Sequence, residues 1–187
     1  MTISPDTVTA ERLETSRLVL RPPVDADRDA AIHLGTDPEV TTHLGGPADR
    51  REVEADLDAR PLGGRPPKPG AYLVADRTTD GCLGLVTLDR RLASRPGHLV
   101  REGEELEIGY TFARWAWGHG YAEEAARALL RAAAELPDQP VVLVTQTTNQ
   151  RSLALAARLG FAAVQTFMEC DAGQTLATAR LARFTSR

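Results

Sequence analysis

Lysine is nearly missing from this chain: Lys68 is the only one, and nearly all the positive charge is arginine. With the abundance of alanine, that reads as coding bias before function. Cysteine is almost as scarce. Cys82 and Cys170 are too few and too unpatterned for a disulfide framework or a metal site, so both read as ordinary thiols. The four histidines, His33, His43, His98 and His119, show no ligand spacing, and no metal is expected. No run approaches the roughly 18 apolar residues that a membrane span needs, so no membrane partner is expected. The stretch up to Arg17 lacks the charged and then apolar regions of a secretory signal, which makes the cytoplasm the default compartment. A basic excess is missing too. The net charge of −4 argues against a general nucleic-acid binder and leaves a cationic small molecule or amine as a compatible partner.

What is present fits an ordinary folded domain: 187 residues, 42% hydrophobic and 26% charged, enough to bury a core without staples. We expect one domain over residues 1–187, with residues 1–12 a flexible N-terminal segment. RLVLR at Arg17–Arg21 reads as a first strand, stopped by Pro22 and Pro23. Asp25 can cap a helix to about Leu34 with Gly35 as its stop, and Pro47 suits the first turn of a second, surface helix ending near Arg60. Residues 61–70 form a proline-rich loop. Ala71–Ala75 and Cys82–Asp89 look like a strand pair, and Arg90–Glu105 like an extended, mobile connection.

Leu106–Leu130 is the stretch with the most information. Leu106, Ile108, Tyr110 and Phe112 alternate with Glu107, Gly109 and Thr111, the period of a half-buried strand. Gly118 and Gly120 then bracket His119, and from Tyr121 the apolar residues recur at helical steps. A glycine turn opening a helix presents free backbone N–H groups beside the positive end of the helix dipole, where a phosphate can bind; it can equally be a plain connection. Val141–Thr145 reads as a strand buried on both faces, Asn149 as the N-cap of a helix ending at Gly160, and Phe161–Met168 with Thr175–Ala182 as a final hairpin. The order β-α-α-β-β-β-α-β-α-β-β describes a mixed α+β domain whose single crossover makes the central strand and the Val141 strand parallel.

Taken together, WGHGYAEEA at Trp117–Ala125, EIGYTF at Glu107–Phe112 and NQRSLALAARLGF at Asn149–Phe161 resemble the GNAT superfamily of acyl-CoA-dependent N-acyltransferases. RLVLRP at Arg17–Pro22 resembles the opening strand of the ribosomal-protein N-terminal acetyltransferase-like branch. The resemblance covers Leu13 to about Phe161 well and the last strands poorly. It implies a central sheet of about seven strands, mostly antiparallel with a splayed parallel pair, flanked by about four helices. Acetyl-CoA is the implied acyl donor. Its pyrophosphate would lie on the turn Trp117, Gly118, His119, Gly120, Tyr121 and Ala122, where Trp117 departs from the family's usual Arg or Gln. Its pantetheine arm would meet the backbone near Phe112 and Arg114, with Asn149 and Ser152 on the following helix. Glu123 and Glu124 must then face away from the phosphates.

The implied activity is transfer of an acetyl group to a primary amine, a protein N-terminus or a small molecule, by direct attack. The amine must first lose a proton, the tetrahedral oxyanion needs a donor, and the thiolate can take up a proton. Glu107 is the first candidate for the base; the nearby Glu102, Glu104 and Glu105 could instead attract a cationic acceptor. Ser152 and Tyr110 are the candidates for the acid. Trp115, Trp117 and Tyr121 could line the pocket, although Trp115 reads better as packing. The competing reading is an acyl-CoA-binding module without turnover, a sensor or scaffold. A nucleotide-phosphate enzyme is disfavoured, because the turn lacks the Gly-Lys-Ser/Thr ending of a P-loop. The sequence leaves room for a homodimer.

Overall fold

The computed structural model describes residues 7–66, 68–100 and 103–185. Residues 1–6 of the expected flexible segment, and Glu102, lie outside the described residues; the neighbouring residues 7–10 are tied to the sheet, with Val8 buried and Tyr72 Oη donating to the Ala10 carbonyl. Eight strands are present among the described residues: β1 (Leu13–Glu14), β2 (Leu18–Arg21), β3 (Ala71–Asp76), β4 (Cys82–Arg90), β5 (Leu106–Phe112), β6 (Pro140–Gln146), β7 (Ala162–Glu169) and β8 (Ala172–Arg180). They form one sheet in the order β1-β2-β3-β4-β5-β6-β8-β7. Five helices accompany it: α1 (Arg28–Thr36), α2 (Pro38–Thr41), α3 (Arg50–Ala59), α4 (Tyr121–Ala133) and α5 (Gln150–Leu159).

Every neighbouring pair of strands is antiparallel except β5 and β6. That parallel pair is short. It matches only Leu106 with Val141 and Glu107 with Val142, although β5 runs on to Phe112 and β6 to Gln146. Beyond Glu107, β5 stays with β4 as far as the Gly84 and Phe112 pair, and β6 stays with β8 as far as Gln146 and Gln174. The sheet therefore opens into a wedge between β5 and β6.

The two faces of the sheet are covered differently. Helices α4 and α5 bury Ala125, Leu129, Leu155 and Leu159 against Ile108, Val141 and Leu143, each alternate residues of its strand. On the other side Ile32 of α1 packs with Leu57 of α3 and Leu62, while Val40 of α2 and Leu34 pack with Ala113 just past β5. Helix α2 thus stands over the open end of the wedge.

Several local expectations are corrected. Asp25 does not cap α1; it sits in a 3₁₀ turn over Asp25–Asp27, and its carboxylate takes the Gly63 N–H at 2.7 Å. Asp27 closes that turn, accepting from the Val24 N–H at 2.8 Å and from the buried Arg21 guanidinium at 2.8 and 3.1 Å. Helix α1 runs through Gly35 to Thr36, and Asp37 then caps the unforeseen α2, with Pro38 in its first turn. Asp49 caps α3, so Pro47 precedes that helix. The connection from β4 to β5 is anchored rather than loose. Arg91, wholly buried, donates to the Gly97 carbonyl at 2.9 Å and to Glu107 at 2.9 Å.

Candidate active site

Past Phe112 the chain makes a 3₁₀ turn (Arg114–Ala116), then passes through Gly118 at φ +79° and Gly120 at φ +77° before α4 begins. Both glycines occupy the left-handed region that residues with a Cβ avoid. A Cβ on Gly118 would meet nothing within 4 Å, so the turn is open on that side. The first helical bond of α4 is Glu124 N–H to the Gly120 carbonyl at 3.1 Å, which leaves the N–H groups of Tyr121, Ala122 and Glu123 without helical partners. The two carboxylates of the first turn are already occupied. Glu123 is held by Arg127 at 3.0 Å and Arg158 at 2.8 Å, and Glu124 by Arg17, Thr15 and Ser16.

Trp117 pins the turn to the end of β5: its indole N–H donates to the Phe112 carbonyl at 2.7 Å. The Arg114 and Arg151 guanidiniums lie 5.0 and 4.8 Å from the ring centroid, placing two cations beside the turn. His119 stacks on Tyr121 with centroids 5.5 Å apart, and its carbonyl accepts from Arg17 at 3.0 Å. Trp115 takes no part in the site. It is 55% exposed and lies against His33.

The wedge itself is lined by main chain. The Ala113 N–H donates to the Leu83 carbonyl and the Arg91 N–H to the Glu105 carbonyl. By the alternation of an antiparallel ladder, odd-numbered residues of β5 then spend their main-chain groups on β4, and Ile108, Tyr110 and Phe112 turn theirs toward β6. The Glu107 and Val142 bridge spends the Ile108 N–H on the Val142 carbonyl, so the groups left facing the gap run from the Ile108 carbonyl through Tyr110 to Phe112. Of the backbone expected to meet an extended ligand near Phe112 and Arg114, the two carbonyls are engaged, by the Trp117 indole and by the Trp117 N–H at 3.3 Å, which leaves the N–H groups. Free strand-like groups therefore centre on Tyr110, from the Ile108 carbonyl to the Phe112 N–H.

Tyr110 and Ser152 meet across the wedge, Oη to Oγ 2.8 Å. Asn149 caps α5, its Oδ1 accepting the Ser152 N–H at 3.1 Å, so the cap and a ligand contact do not compete: the amide's N–H donors remain for a ligand. Burial pushes the Tyr110 phenol above its ordinary value, partly offset by Ser152 and the Arg158 charge, so Tyr110 holds its proton at neutral pH. A cavity of about 1050 Å³ joins these groups to the turn and to the end of α2, lined by Tyr110, Trp117, Asn149 and Ser152 and, from the opposite side, by Thr42 and His43.

Glu107 lies apart from Tyr110 and Ser152. Strand alternation puts it on the other face of β5, at the closed end of the wedge, where Arg91 holds it at 2.9 Å and Arg95 lies 3.7 Å away. Its carboxylate is thus taken up by ion pairs instead of opening onto the wedge. Glu105 is not an open attractant either, whereas Glu104 is exposed. Burial alone would raise the Glu105 pKa, but His98 and the backbone N–H groups around it carry it below the usual range, and these contacts turn the carboxylate inward. His43, Gln146 and Arg151 escaped the sequence reading. Only Arg151, two residues past the Asn149 cap, carried a local signal.

A sheet split between two parallel strands, with a glycine turn opening a helix at its mouth, is the frame of the site. The chain belongs to the acetyltransferase (GNAT) domain family, whose model matches residues 17–162. It is 32% identical over 122 residues to the uncharacterised protein YkkB of Bacillus subtilis strain 168, a match over 64% of this chain and 66% of YkkB, just under two thirds of that protein. Its fold resembles that of a GNAT-family acetyltransferase from Bacillus anthracis, with a TM-score of 0.71 and 17% identity over 91% of this chain and 98% of that one. It also resembles spermidine N-acetyltransferase from Vibrio cholerae, solved with CoA and spermine, with a TM-score of 0.64 and 15% identity over 91% and 99% of the two chains. No helix among the described residues is long and apolar enough to cross a membrane, and no group of three or more metal-ligating side chains occurs among them.

Proposed function

We propose that this protein transfers an acetyl group from acetyl-CoA to a primary amine by direct attack, in the cytoplasm. The observation that carries this reading is the open wedge, with unpaired main-chain groups of β5 on one side, the Tyr110 and Ser152 pair across it and the glycine turn at its end. The N–H groups of Tyr121 and Ala122, with Gly118 and Gly120 giving access, would hold the pyrophosphate. Main chain from the Ile108 carbonyl through Tyr110 to the Phe112 N–H and the Asn149 side chain would hold the pantetheine arm, which adds to β5 as an extra strand. Acetyl-CoA supplies an activated thioester. A main-chain N–H in the gap steadies the oxyanion, and Tyr110, still protonated at neutral pH, can return a proton to the sulfur.

One observation favours the alternative, an acyl-CoA-binding module without turnover: the most obvious carboxylate, Glu107, is locked in ion pairs. Screening CoA thiol release and acceptor mass shift with polyamines, aminoglycosides, amino acids and peptides separates the two. Turnover on any amine supports the transferase; tight acetyl-CoA binding with no turnover supports the module.

A further inference from the structure

We infer that His43 is the base that takes the acceptor's proton, held for that role by Gln146; this rests on the transferase reading above. His43 follows α2, over the open end of the wedge, and its Nδ1 lies 2.9 Å from the Gln146 side-chain oxygen, 103 residues away in sequence. An amide oxygen only accepts, so Nδ1 carries the hydrogen and Nε2 keeps its lone pair. Among the described residues no hydrogen bond engages Nε2, and the half-buried ring lines the cavity.

The placement suits the chemistry. Val141 and Leu143 of β6 point into the α4 and α5 core, so Gln146 points to the opposite face, beneath α2. Tyr110 and Ser152 occupy the α5 face. A thioester lying in the gap therefore has its proton donor on one face and His43 on the other, which is the side left open to an incoming amine. The charged side chains lining the cavity with His43 are Glu39, paired with Arg114 at 3.4 Å, Glu123, paired with Arg127 at 3.0 Å and Arg158 at 2.8 Å, and Arg151. Both carboxylates are already paired with arginine, and arginine stays protonated.

The step balances. The acceptor ammonium gives one proton to His43 Nε2, and the freed electron pair forms the bond from nitrogen to the carbonyl carbon. As the adduct collapses, the bond from carbon to sulfur breaks with its pair on sulfur, the thiolate gains a proton from Tyr110 or water, and the second proton lost by the nitrogen replaces the one given up. Amide, free thiol and one released proton result, and His43 returns its proton to solvent.

The test uses the full chain with acetyl-CoA and three probe amines: spermine, kanamycin and a peptide with a free N-terminal serine. His43→Ala is expected to lower kcat/KM by about 100-fold or more, to lose the acid limb of its pH profile, and to recover roughly tenfold on addition of imidazole. Acetyl-CoA affinity by calorimetry should stay within about twofold, since the ring lies across the sheet from the α4 turn. Activity within about twofold of wild type, or a loss that imidazole does not restore, overturns the assignment. A second arm needs no acceptor: nitrogen NMR should find His43 as the Nδ1–H tautomer, converted to a mixture by Gln146→Leu, and a dominant Nε2–H form in the wild type overturns it. Failure of the wild type on all three amines counts against the transferase reading itself, while the tautomer still decides the role of His43.

Discussion

Gly120→Val tests the anion site most directly. Gly120 sits at φ +77°, and a Cβ there would meet only the Arg17 side chain at 3.6 Å, an ordinary contact. The cost is therefore conformational, about 1–2 kcal/mol for forcing a residue with a Cβ into the left-handed region, and somewhat more for a branched one. The chain can relieve that strain by rotating the peptide that opens α4, and the rotation moves the Tyr121 and Ala122 N–H groups away from the ligand. Losing one charge-assisted hydrogen bond is worth about 1.5–3 kcal/mol, or roughly 10- to 150-fold in Kd. Calorimetry with acetyl-CoA, on protein shown to be folded by circular dichroism, measures it. Gly35→Ala, in a helix where a Cβ meets nothing within 4 Å, is the control and should bind normally. Undiminished acetyl-CoA affinity in folded Gly120→Val would show that the pyrophosphate does not use this turn.

Other outcomes follow from the same geometry. Glu107→Gln should lower stability by about 1–3 kcal/mol, because Arg91 loses its nearest carboxylate, yet leave kcat/KM of the folded enzyme within about twofold; a large kinetic loss at unchanged Tm would restore Glu107 as the base. Tyr110→Phe should lower kcat by roughly tenfold only, since a thiolate whose acid has a pKa near ~8.5 leaves without much help. Because burial raises Tyr110, its acid form is lost only as pH climbs past the ordinary phenol value of ~10, so wild type and Tyr110→Phe should show parallel pH profiles below that point. For Glu124, burial alone would raise the pKa, but Thr15, Arg17 and Ser16 hold it below the usual value; the stability it adds is complete above the ordinary glutamate pKa and is lost as pH falls through the lowered one. Thermal melts from pH 6 toward pH ~3 should therefore fall less steeply for Glu124→Gln than for wild type.

The strand, glycine turn and helix at Leu106–Leu130 were legible because each signal is local: alternation in β5, two glycines whose backbone needs positive φ, and alanine and leucine at helical spacing in α4. The Asn149 cap was legible for the same reason. Helix α2 was not, since four residues are too few to show a period, although Asp37 and Pro38 mark its start. The ion pair of Glu107 was not legible because its partner, Arg91, reaches it only after the β4 to β5 connection folds back over the strand. His43 and Gln146 carried no joint signal at all, being brought together by the sheet across 103 residues.

One physical rule, the two-residue repeat of β5, divides the work of the site. Even residues send side chains toward α4 and α5 and main-chain groups toward the gap, so Tyr110 offers both its phenol and its peptide to the ligand. Odd residues send side chains to the opposite face and spend their main chain on β4, which is why Glu107 meets Arg91 instead of substrate. The same repeat in β6 places Gln146 on the face that His43 covers. On the proposed reading, donor-side and acceptor-side groups are thus separated by the sheet itself and meet through the wedge where β5 and β6 part.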